Sequence, residues 1–72
     1  MPASGEDRVI ERLETRLKDA RDLLATAERA RDAAEPGSAD YRRGVRAVGS
    51  SWTRVRRLER ELVAVRLALA RR

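Results

Sequence analysis

A Pro36-Gly37 pair divides this chain into two apolar patterns of nearly equal length, each stepping alternately by three and four residues. Before the pair come Ile10, Leu13, Leu17, Ala20, Leu24, Ala27 and Ala34, with Arg31 the single charge in the series. After it come Tyr41, Val45, Val48, Trp52, Val55, Leu62 and Leu69, with Leu58 and Val65 filling in. Such spacing marks one face of a long helix, and two such runs about one break predict helices folded back on each other. Proline biases its predecessor away from helix, and glycine accepts the backbone of a tight turn.

The two patterns support each other. In an antiparallel hairpin, facing residues keep a nearly constant index total. The pairs Ala34–Tyr41, Ala27–Val48, Leu24–Trp52, Ala20–Val55, Leu17–Leu58, Leu13–Leu62 and Ile10–Val65 all total 75 or 76. Alanines on the first helix thus meet larger residues on the second, which lets layers interdigitate without voids. Helix-end signals agree with this. Ser4 with Asp7 resembles a capping box, Ser38 is a candidate N-cap, and Glu6, Asp7 and Asp40 sit where the helix dipole favours acids. Gly44 and Gly49-Ser50-Ser51 are the weakest helical stretch, but the apolar phase survives them, so the second helix is expected to run through.

The expected architecture is an all-α, coiled-coil-like antiparallel hairpin that dimerises into a four-helix bundle. Its parts are a tail at 1–4, a first helix over about 5–35, a turn at 36–37 and a second helix over about 38–72. Dimerisation is expected because 72 residues make a small core, and the usual staples are missing: the chain has no cysteine for a disulfide and neither cysteine nor histidine for a zinc site. With the second helix placed so that Val45, Val48, Trp52 and Val55 face inward, Val9, Leu23, Leu58 and Val65 flank the seam on one side. Leu67 and Leu69 extend past the start of the first helix. These six residues are the expected oligomer interface, since an apolar flank along two helices calls for a further helical partner.

The same residue types limit the chemistry. No nucleophile–base pair, glycine-rich phosphate loop or metal-ligand spacing is visible, so neither catalytic nor metal nor cofactor-binding residues are assigned. Acids and arginines at helical spacing read as an ion-paired, solvated face, with Glu35 expected beside Arg42 across the turn. Charge is uneven. Residues 1–37 carry seven basic and nine acidic side chains, and residues 38–72 carry ten and three, within a net charge of +5. Arg43, Arg46, Arg54 and Arg57 project from one outward face of the second helix over about 21 Å.

The expected function is therefore that of a non-enzymatic protein–protein interaction module, a small regulatory or adaptor protein. It associates with itself and offers these arginines to an acidic protein. The alternative is sequence-independent nucleic-acid binding through the same arginines, driven by phosphate contacts. Attachment to a membrane surface ranks last, and a cytoplasmic location is expected from the absence of a signal-peptide order in the first ten residues.

Overall fold

The computed structural model describes residues 5–71 and contains two helices, α1 (Gly5–Ala33) and α2 (Ala39–Ala70), packed against each other as a hairpin. The expected tail at 1–4, the Ser4 cap and the contribution of Arg72 lie outside the described residues.

The ends of the helices follow from their sequence. Glu6 and Asp7 occupy the first turn of α1 and Arg31 its last, each matching the helix dipole. Beyond Ala33 the chain closes through Ala34 N–H to the Arg31 carbonyl (3.2 Å) and Ser38 N–H to the Glu35 carbonyl (3.1 Å). Gly37 takes φ +84°, a conformation that favours glycine. Ser38 then caps α2, its hydroxyl accepting from the Tyr41 N–H at 3.0 Å. Arg42 donates to the Gly37 carbonyl at 3.0 Å rather than turning to Glu35, so this arginine braces the turn. α2 continues without a break through Gly49.

The core consists of Leu13, Leu17, Ala20 and Leu24 from α1 and Val48, Val55, Leu58 and Leu62 from α2, with Ile10, Ala27 and Val65 packed at its margin. Val55 is the most enclosed of the larger side chains, at 2% exposure. On α1 this is the expected face. On α2 it is not: Val45 and Trp52 are turned outward, Trp52 at 46% exposure, while Gly44 and Leu58 are buried and Ser51 is half-buried.

Two seams were open to α2. Both contain Tyr41, Val48, Val55, Leu62 and Leu69. One adds Val45, Trp52, Glu59 and Arg66; the other adds Gly44, Ser51, Leu58 and Val65. The first buries two more large apolar groups near the turn, worth about 1.5–3 kcal/mol each. It also forces Glu59 and Arg66 into the thickest part of the core, where an ion loses several kcal/mol of hydration. The second seam keeps both charges at the surface and wins along the whole helix. The index total then becomes 75 at every layer, with Ser51 level with Leu24 and Gly44 level with Arg31.

At Gly44 the helices approach each other closely. A Cβ added there would sit 2.8 Å from the Arg31 Cα and 2.9 Å from its Cβ. Arg31 fits the core register because its guanidinium escapes sideways to Asp32 (Nε to Oδ1, 2.9 Å), and that carboxylate holds it above the ordinary arginine range.

Two stability predictions follow from this seam, both read by thermal circular dichroism on dilute protein. Gly44→Ala should lower the melting temperature although alanine is the better helix former, because the overpacking term of about 1–3 kcal/mol exceeds the propensity gain of about 1 kcal/mol. Leu58→Ala should cost about 2–5 kcal/mol. Trp52→Ala, at a half-exposed position, should cost much less. A Trp52→Ala loss equal to that of Leu58→Ala would place α2 in the other seam.

Candidate interaction surfaces

Rotating α2 into its observed seam redistributes the residues expected at an oligomer interface. Leu58 is in the hairpin core, at 7% exposure, and Val65 packs against that core. Leu69 is half-buried. Val9, Leu23 and Leu67 remain exposed. The six do not form one surface. Val9 and Leu23 share a stripe of α1 with Arg16, at heptad spacing, whereas Leu67 lies on α2 beside Val63 and Ala64. The apolar flank expected along both helices is thus absent, because its α2 half has become the core.

One broad face of the hairpin carries the interhelical ion pairs. Arg66 Nη2 donates to Glu14 Oε1 at 2.8 Å, and Arg21 lies 4.0 Å from Glu59. All four side chains are about half exposed, so each pair contributes about 0–1 kcal/mol. Trp52 belongs to the same stripe of α2, one heptad before Glu59 and two before Arg66. The Arg56 guanidinium stacks over its ring, 5.7 Å from the centroid. Val45 precedes Trp52 by one heptad, and Val63 and Leu67 follow Arg56 at helical spacing. Four of the six large apolar side chains exposed among the described residues therefore fall on this side of α2.

The other broad face is basic. Arg16 of α1 joins Arg54 and Arg57 of α2 around a shallow groove that also includes Ser50, Thr53 and Glu61. The Thr53 hydroxyl is engaged with the Gly49 carbonyl at 3.1 Å. Arg43 pairs with Asp40 on its own helix and is tied toward the turn. Among the described residues, Arg46, Arg54 and Arg57 make no ion pair, and neither does Arg16. Sequence reasoning on α2 alone overlooked Arg16. Its index totals 70 with that of Arg54, and a constant total on that edge would have brought the two helices' arginines together.

Near the turn this basic face gives way to a patch of small residues, Ala30, Ala33, Ala34 and Ala47 among them. Among the described residues no helix is long and apolar enough to cross a membrane, and no cluster of acidic side chains is arranged to hold a metal ion.

Comparison with known proteins gives no matching family model, no similar curated protein and no similar solved structure.

The geometry at Trp52 makes a spectroscopic prediction. Trp52 is the chain's single tryptophan. In dilute protein its fluorescence should be quenched readily by acrylamide. An emission shielded from quencher under monomeric conditions would contradict a half-exposed ring.

Proposed function

We propose that this chain is a non-enzymatic helical-hairpin interaction module, a small regulatory or adaptor protein, that associates with itself into a four-helix assembly and presents the arginines of α2 to an acidic protein. The observation that carries this reading is the uncovered apolar surface of the hairpin. Among the described residues six large apolar side chains stay exposed, including an aromatic ring stacked under an arginine, and eight hydrophobic residues form the buried core. Exposed tryptophan and arginine side by side are the residue types that most often anchor protein interfaces. Arg46, Arg54 and Arg57, which make no ion pair among the described residues, supply the complementary charge.

Light scattering at micromolar concentration should give a dimer mass. A fully helical monomer would defeat self-association. Polyglutamate serves as a probe for the acidic partner: the parent should bind it, and reversing Arg46, Arg54 and Arg57 to glutamate should abolish binding without loss of helicity.

One observation favours nucleic acid as a second reading, namely that Arg16, Arg54 and Arg57 converge from two helices on one groove. Three phosphate contacts there would give a log–log dependence of duplex affinity on salt with a slope of about −3. The absence of duplex binding at low salt would exclude it.

A further inference from the structure

We infer that α2 associates with α2 of a second copy, antiparallel, along the stripe that contains Trp52, with Arg56 of each chain paired to Glu59 of the other. The inference rests on the self-association reading and specifies its contact surface. Three observations support it, and each concerns a different property of the molecule.

The first is the pattern of the stripe itself. From Val45 to Ala70 it runs at alternating steps of four and three, the spacing of a second heptad seam on a helix whose first seam is already filled by α1. Folded onto itself about its midpoint, it pairs residues whose indices total 115. Trp52 then meets Val63 of the other copy, and Arg56 meets Glu59, with both pairs occurring twice by symmetry. Charge complementarity thus sits at the centre, with the large ring against a smaller apolar residue on either side. A parallel arrangement would set Arg56 against Arg56 and Trp52 against Trp52.

The second is Gly49. An interior helical glycine weakens a helix, and Gly44 has a reason for doing so in its contact with Arg31. Gly49 has none within this chain, since an added Cβ would meet no atom within 4 Å. It lies on the stripe, level with Arg66 of the second copy, where the missing side chain leaves room for the arginine stem.

The third is area. The protein exposes 5750 Å² at a mass of 8.1 kDa, where a compact monomer exposes about 4,500 Å². The surplus exceeds the roughly 800 Å² that each partner contributes to a standard interface.

The α1 stripe on the same broad face carries Glu11, Glu14, Glu28 and Asp32 with Lys18 and Arg21 and no large apolar side chain, so it offers a second copy little to bury. This favours contact through α2 alone.

Val45→Cys and Ala70→Cys variants test the arrangement in a chain without native cysteine. In the antiparallel dimer residue 45 lies beside residue 70 of the other copy, while two copies of residue 45 stand about 37 Å apart at the helical rise. Oxidation should cross-link a mixture of the two variants and neither variant alone. Cross-linking of each variant with itself would indicate parallel helices and overturn the inference.

Arg56→Glu should weaken self-association about tenfold or more, and adding Glu59→Arg in the same chain should restore it, with helicity unchanged. Gly49→Leu, which does not threaten the fold, should abolish the dimer while leaving the hairpin helical. A dimer that yields no 45–70 cross-link and tolerates Arg56→Glu and Gly49→Leu would overturn this surface and leave self-association standing. A monomer at every concentration would overturn both.

Discussion

Two helix backbones meet at Gly44 and Arg31 with no space between them for even a methyl group. Because the connection is short and Gly37 turns the chain at one fixed point, this contact sets the vertical register of the hairpin. It also sets the rotation of α2, since only a glycine can point at α1 from so near. Once Gly44 faces inward, Ser51, Leu58 and Val65 must follow at heptad spacing, and Val45, Trp52, Glu59 and Arg66 are carried to the surface. The interhelical ion pairs of Glu59 and Arg66, the exposed tryptophan and the enclosed leucines are therefore consequences of one close approach.

That rotation determines what the surface can do. Layers near the turn are thin, with Ala27 level with Val48 and Ala34 level with Tyr41, and layers toward the open end are thick, with leucines from both helices. α1 places most of its large apolar side chains on this seam and leaves Val9 and Leu23 outside it. α2 has apolar residues enough for more than one seam, and the excess falls on the face that carries Trp52. The opposite face inherits Arg46, Arg54 and Arg57, which make no ion pair among the described residues. One helix thus carries two chemically different surfaces on either side of the seam that α1 covers.

The hairpin, its turn and its capping serine were legible in the sequence because each depends on local chemistry: a proline that stops a helix, a glycine that accepts positive φ, a hydroxyl placed to accept an N–H. The α1 face was legible because its pattern is unambiguous. The α2 face was not, because Trp52 and Val45 argue for one seam while Leu58 and Val65 argue for another, and hydrophobicity alone favours the larger ring. The index total held the answer. Leu24–Trp52 was the one pair at 76 among pairs at 75, and a rigid helix cannot step out of phase for a single layer. The cost of enclosing Glu59 and Arg66 pointed the same way. Arg16 was missed for a related reason: a site assembled from two helices is visible only after their register is known.

The same physics links the fold to its surroundings. A two-helix core with eight enclosed side chains leaves each helix covered on one side only, so much of its stabilisation must come from few layers. Any partner that covers the remaining apolar stripe binds the folded hairpin and not the unfolded chain, and its binding free energy adds to the stability of the fold by mass action. The exposed stripe that contains Trp52 and the seam that holds the hairpin are alternate sides of one helix, separated by a rotation of about 100°. A substitution that turned α2 back toward its other seam would bury Val45 and Trp52 and expose Leu58. The core of the hairpin and the exposed surface of α2 are thereby tied to the same choice, which Gly44 makes.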